Sequence, residues 1–305
     1  MEVVHLPRAA LDVARWDATI AQAGCALPYA YSWYLDVVTQ GKWTALLSSD
    51  YRFVMPLPGK FWIHRPPFCQ QLGIFGAELS PKILQSFLQA LPRKLLAIYL
   101  PFNAPNQKHL TGLPGFIPAP NYILSLQSDY PAIRQHYHPS LRRQLDKNSP
   151  LLNLEWNVAV APFLEFYLRH NRKKFRLSRY HQQVLCRLCH TLLERQSGSI
   201  LVVRNAKGEV CAMDLIANSP GRLIHLFPAS SPEGRQQAAM HFLIDRLIRQ
   251  YAGQAVVLDF EGSHISGIAR FYKNFGATLE PYSLYRKDPW RIGRPLGYLS
   301  RILPC

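Results

Sequence analysis

No stretch of this chain carries the ~18 to 20 consecutive apolar residues that a membrane span requires. Its opening, "MEVVHLPRAALD", has no basic segment followed by an apolar one. No secretory signal is therefore expected, and a cytoplasmic setting is. Cysteine is scarce: six in 305 residues, at positions 25, 69, 186, 189, 211 and 305. That is too few and too scattered for a disulfide framework, and it fits a reducing compartment. Charge is scarce too, at 18% of residues, and negative charge most of all, with 19 Asp and Glu against 35 Lys and Arg. The net charge of +16 would draw polyanions such as tRNA, nucleotide phosphates, coenzyme A or an anionic membrane leaflet, or it serves solubility alone.

Apolar and aromatic residues are plentiful. With 48% hydrophobic residues, 15 Tyr, 15 Phe and 6 Trp, the chain can bury a sizeable core and is not disordered by composition. Its length suits one large domain or two of ordinary size.

The pattern along the chain is mixed. "ARWDATIAQ" and "YAYSWYLDVVT" read as helices, and "KWTALLS", "RFVMPLP" and "KFWIHR" as a strand meander. Ser80 followed by Pro81 marks a helix start. "KLLAIYLPFN" and "NYILSLQS" read as strands, and the basic stretch after Pro139 as a helix. The theme then recurs. "LNLEWNV" is a strand, "APFLEFYLRHNRKKF" and "SRYHQQVLCRLCHTLLERQ" are amphipathic helices, and a second meander runs through "SILVVRN", "EVCAMDLIA" and "RLIHLFPA". One long helix, "GRQQAAMHFLIDRLIRQYA", and the segment "LDFEGSHISGIARFYKNFGATLEPY" follow. A slide of the chain by 161 positions lays Leu95–Asn103 on Val256–His264, Gly115 on Gly276 and Pro120 on Pro281. This register predicts two copies of one α/β unit.

The last of these segments carries the chemistry. Asp259 and Glu261, two apart on a strand, would share one face. A carboxylate there can take a proton from an attacking amine; alternatively these residues form a solvated strand end or an ion pair with Arg270 or Lys273. Tyr272 has a phenol able to protonate a leaving group, or it packs in the core. Lys273 can stabilise developing negative charge.

The meander, the following helix and strand, and "FYKNFGA" before a last strand resemble the GNAT N-acetyltransferase fold. Two such units in tandem, with "SLRRQLDKN" between them and "LDFEGS" ahead of "GIARFYKNFG", resemble the Fem-type peptidyltransferases. The resemblance implies an α/β (α+β) chain of two tandem GNAT-like units, each a mostly antiparallel twisted sheet with helices on both faces. The boundaries expected are residues 1–128, a basic helical connection over 129–150, the working unit over 151–287 and a basic aromatic tail over 288–305. It also implies an acyl or aminoacyl transfer to a primary amine on a small molecule or peptide. The donor would be acyl-CoA or aminoacyl-tRNA, and no metal is expected. In such folds the donor's pyrophosphate rests on a helix N-terminus behind a glycine-containing loop. The matching stretch here is "SSPEGRQQAAMHF", with Gly234, Arg235, Gln236 and Gln237 in place, Phe227, Ala229 and Ser230 on the preceding strand, and Ala238 and Ala239 at the glycine positions. That departure leaves both donors open.

Three further stretches bear on partners. Arg142, Arg143 and Lys147, with Arg172, Lys173 and Lys174, form either a phosphate-contacting patch for substrate or tRNA, or a solvated helix face. "CRLCHTLLE" puts Cys186 and Cys189 on one helix face without a second ligand pair, so a buried face is expected rather than a zinc site. The tail, residues 288–305, packs on the first unit or touches a membrane surface.

Overall fold

The computed structural model describes residues 1–59, 62–92, 97–171, 177–262 and 264–287. The chain divides into two compact units, Met1–Pro120 together with the segment from Glu280, and Asn121–Leu279. Relative to the boundaries drawn from sequence, residues 121–150 lie with the second unit and residues 280–287 with the first.

In the first unit the elements run β1 (Val3–Pro7), α1 (Val13–Gln22), α2 (Ser32–Thr39), β2 (Trp43–Ser48), β3 (Phe53–Pro58), β4 (Trp62–His64), β5 (Phe75–Gly76), α3 (Pro81–Gln89), β6 (Ala97–Phe102), α4 (Ala104–Leu110) and β7 (Phe116–Ala119). Helix starts follow local chemistry: Asp12, Ser80 and Asn103 each accept a bond from a first-turn N–H. Gln71, fully buried, also accepts from the Ala104 N–H and so helps cap α4.

The second unit comprises β8 (Tyr122–Ser125), α5 (Tyr130–Gln135), α6 (Pro139–Asn148), β9 (Leu152–Trp156), α7 (Val160–Asn171), α8 (Arg179–Glu194), β10 (Gly198–Asn205), β11 (Val210–Ser219), β12 (Arg222–His225), β13 (Ala229–Ser230), α9 (Pro232–Gln236), α10 (Ala239–Tyr251), β14 (Val257–Asp259), α11 (Ser266–Lys273) and β15 (Thr278–Leu279). The last strand, β16 (Tyr282–Lys287), returns to the first unit.

The second unit has one sheet, in the order β15-β8-β14-β12-β11-β10-β9, with β13 also on β11. All its pairs are antiparallel except β12 with β14. Along β10, Leu201 and Val203 join the core under α10, while Ile200 and Val202, equally buried, point to the opposite face. The first unit differs from the single sheet expected. It has two sheets of four strands, β1-β2-β3-β5 and β4-β6-β16-β7.

The 161-residue repeat is present, with an exchange the sequence did not reveal. The order β4-β6-β16-β7 matches β12-β14-β8-β15. In each, the strand that fills the third place comes from the other copy: β8 follows β7 in the chain but completes the second unit's sheet, and β16 follows β15 but completes the first's. The paired glycines mark equivalent turns, at φ +83° for Gly115 and +82° for Gly276. A Cβ at Gly115 would stand 2.9 Å from the Arg286 carbonyl oxygen, so glycine is required where β7 meets β16.

Candidate active site

The helix expected over 234–252 is broken in two. Gly234 explains the first part. A Cβ there would lie 1.9 Å from the Cys211 carbonyl oxygen, so glycine lets α9 press against β11. The Gly234 N–H is spent on the Ser231 side chain, which caps α9 at 2.9 Å. Ala238 then takes a left-handed conformation, φ 57°, and α10 starts afresh. That conformation costs an L-residue roughly 1–2 kcal/mol. It gives α10 its own N-terminus, whose first-turn N–H groups, from Ala239 to His241, have no intrahelical partner.

A cavity of about 350 Å³ opens at this N-terminus. Its walls come from β12 and β13 (His225, Ala229, Ser230), α9 and α10 (Gly234, Arg235, Met240, His241), the end of α7 (His170, Asn171) and α11 (Gly267, Ile268, Phe271, Tyr272). The volume is at the lower end for a small-molecule site. It exists because the sheet splays: β14 pairs with β12 as far as Ile224–Asp259, whereas β13 stays on β11.

The edge of β13 offers less than the sequence suggested. Phe227 is fully buried, stacks edge-on with Tyr167, and donates its N–H to the Leu215 carbonyl at 3.3 Å. Pro228 has no N–H, and its carbonyl accepts from Asn171 Nδ2. The Ser231 N–H bonds the Cys211 carbonyl, so by ladder alternation the Ser230 N–H points away from β11. The Ser230 carbonyl accepts from Arg235 Nη1 at 2.7 Å, which fixes that cation at the cavity wall. Of the loop residues, Gln236 is exposed, and Gln237 turns its Oε1 to Cys211 Sγ, outside the cavity lining.

Burial tunes the cavity's histidines. It pushes His241 down to about 4, and His170 is lowered by burial and by Arg169 and Arg235. His241 is thus uncharged at neutral pH, and it packs against Phe271 with ring centroids 4.5 Å apart. His170 also lines a second, wider cavity of about 630 Å³ with Glu165, Glu209 and Glu233.

The predicted catalytic residues separate. Tyr272 lines the cavity and is 2% exposed. Lys273, its neighbour, is solvent-exposed over the Tyr122 ring, 5.8 Å from its centroid, and is absent from the cavity wall. Asp259 and Glu261 do not share a strand face: β14 ends at Asp259, and Glu261 adopts φ 60°. The Asp259 carboxylate is fully buried. It pairs with Arg222 at 2.5 Å, in place of the Arg270 or Lys273 partner expected, and accepts the Glu261 N–H at 2.8 Å. Arg142, Arg143 and Lys147 lie on α6 away from its buried Leu141 and Leu145. Arg172, Lys173, Lys174 and the tail, residues 288–305, lie outside the described residues.

One pair escaped the sequence reading. His225 Nδ1 meets Asp214 Oδ2 at 2.5 Å, with both side chains buried. The signal was available in the hairpin: Pro220–Gly221 sets Ile216 opposite His225, which puts Asp214 on the diagonal, the one charged residue of its strand. Among the described residues, no cluster of His, Cys, Asp and Glu could hold a metal ion, and no helix is long and apolar enough to cross a membrane. Cys189 is buried and His190 exposed, as a packed helix face requires.

Residues 140–273 match a family described as an acetyltransferase (GNAT) domain. No curated protein sequence matches the chain. Among solved structures, FemX is similar over 98% of this chain and 99% of its own, with 14% identity and a TM-score of 0.67. The C-terminal domain of a putative lysylphosphatidylglycerol synthetase from Agrobacterium fabrum is similar over 92% of each chain, with 14% identity and a TM-score of 0.58. An L-PGS from Bacillus licheniformis covers the same shares at 15% identity and 0.54.

Proposed function

We propose that this chain, which has the GNAT fold in its Fem-type two-unit form, transfers an acyl or aminoacyl group to a primary amine. The observation that carries the reading is the cavity at the splay of β12 and β13. It joins an unpaired helix N-terminus, an outward-facing Ser230 N–H and the Tyr272 phenol.

The attacking amine nitrogen bonds the donor's carbonyl carbon, and the bond from that carbon to the leaving sulfur or oxygen breaks. The Ser230 N–H and the first turn of α10 hold the donor, with Arg235 beside them. Tyr272 gives its proton to the leaving atom. Lys273, being exposed, acts at longer range if at all, and Asp259 serves as a structural anion beneath the site. The wider cavity that shares His170 would admit the amine. Its three carboxylates suit a cation before it loses its proton.

Acyl-CoA and aminoacyl-tRNA remain the two donor classes. The test is a side-by-side titration with acetyl-CoA and with charged tRNA at two salt concentrations. Saturable acetyl-CoA binding supports an ordinary acyl-CoA enzyme. Tight, steeply salt-dependent binding of charged tRNA alone supports a peptidyltransferase, with the basic α6 face as its contact. Binding of neither, with no turnover, refutes the reading in favour of a non-catalytic scaffold.

A further inference from the structure

We infer that His225, oriented by Asp214, is the base that takes the proton from the attacking amine. The inference rests on the acyl-transfer reading and assigns it a residue that the resemblance does not supply.

The argument is geometric. Asp214 is fully buried on β11, and His225, on β12, is 4% exposed and lines the cavity. The Asp214 carboxylate fixes the ring through Nδ1, whose N–H donates to Oδ2. That leaves the Nε2 lone pair for the cavity, and no described residue bonds it. A carboxylate behind an imidazole holds the useful tautomer and stabilises the imidazolium that forms. The second Asp214 oxygen, Oδ1, is buried without a hydrogen-bond partner. A residue kept only for packing does not require a buried carboxylate left half satisfied. The ring is clamped by Phe260 and Phe271, at 6.1 and 6.4 Å between centroids, and stands perpendicular to Tyr272 at 6.3 Å.

The other groups facing the cavity do not compete. From α10, His241, lowered to about 4 by burial, is a weak base and is packed between Phe271 and Phe275. From α7, His170 is tilted against Phe166 and its basicity is lowered by burial and by Arg169 and Arg235, and from α9, Arg235 is a permanent cation. Asp259 is held by Arg222, and Glu261 lies off the cavity wall.

The proton balance closes. The amine nitrogen gives one proton to His225 Nε2 as the C–N bond forms. Tyr272 gives one to the leaving atom as its bond to carbon breaks. Transfer from the imidazolium to the tyrosinate restores both residues, and the net products are the amide and the protonated leaving group.

The experiment has two arms on the full-length protein. In the first, histidine ¹⁵N NMR on uniformly folded wild type reads the tautomer directly. The expected His225 signal is protonated at Nδ1 and bare at Nε2, and Asp214→Asn reverses or abolishes that preference. In the second, thiol release from an acyl-CoA panel and deacylation of charged tRNA are followed with added amine. His225→Gln is expected to lower kcat by ~10²- to 10⁴-fold with KM within about threefold. Asp214→Asn is expected to do the same less severely, with partial rescue in Asp214→Glu. A wild-type signal protonated at Nε2, or His225→Gln turnover within threefold of wild type while Tyr272→Phe is impaired, overturns the inference and leaves acyl transfer standing. Wild-type protein that turns over no donor with any amine overturns acyl transfer, and the inference with it.

Discussion

Asp259→Ala separates two roles that the sequence left open for this carboxylate. In a fully buried site, Asp259 accepts charge-assisted bonds from Arg222 and from the Glu261 N–H. Arg222 is itself only 8% exposed. Removal of the carboxylate leaves a buried guanidinium without this counter-charge, which costs roughly 3–5 kcal/mol. The bond to the Glu261 N–H adds ~1.5–3 kcal/mol, but the two losses overlap and do not sum. About 4 kcal/mol is therefore expected, a large share of the ~5–15 kcal/mol that holds a typical domain. With an m-value near 2 kcal/mol/M, the urea midpoint of the second unit falls by roughly 2 M. The assay is urea unfolding followed by intrinsic fluorescence, with unchanged slope as the control for an intact two-state transition of that unit. Arg222→Met combined with Asp259→Leu removes both charges together and should recover most of the loss, because a buried pair contributes little over an apolar replacement. A variant Asp259→Ala that stays within 1 kcal/mol of wild type yet loses turnover would falsify this assignment and return Asp259 to the chemistry.

Three further outcomes are expected. Gly234→Ala should destabilise by ~2 kcal/mol or more and misplace α9, since the added methyl meets the Cys211 carbonyl; thermal melting and donor affinity read both effects. Tyr272→Phe should slow transfer by ~10²-fold or more with a poor leaving group and far less with an activated aryl thioester, and an equal loss with both would count against a proton-donor role. His241 carries a folded pKa of about 4, below its ordinary value. Its contribution, about 3 kcal/mol at most, is fully present above the unfolded pKa near 6.5 and is lost as pH falls toward 4. Urea midpoints at pH 7 and pH 4.5 should differ less in His241→Phe than in wild type.

The readable parts of the sequence were those governed by local chemistry. Ser80 and Ser178 cap the helices they were expected to start, and the hairpins turn at Asn205–Gly208 and Pro220–Gly221. The 161-residue register survived because Gly115 and Gly276 sit in the same left-handed turn. Most of what stayed hidden depends on partners distant in the chain. Helix α4 was missed although Asn103 and Pro105 are local start signals, because its seven residues, APNQKHL, are too few and too polar to show a helical period. The break at Ala238 was missed because alanine there mimics a helix interior, and only the contact of Gly234 with β11 forces a new start. The motif drew attention to Tyr272, which lines the cavity. His225 was missed because its cue lies in a pairing rather than a motif: a carboxylate diagonal to it across the Pro220–Gly221 hairpin, beside a cavity that only the fold opens.

The exchanged strands also bear on how the protein is made. During synthesis β6 and β7 emerge early, but the strand that joins them is β16. At ~5–20 residues per second, β16 follows roughly 160 residues and about 10–30 s later. For that interval both neighbours carry open backbone edges, the kind of surface that recruits stray strands. Before β16 arrives, the nascent chain has one strand within reach that matches the vacancy by repeat position, β8, the very strand that the later unit needs. Slow translation downstream of Ala119, or a shortage of chaperones that shield strand edges, would therefore favour a trapped form in which the first half has kept β8 for itself.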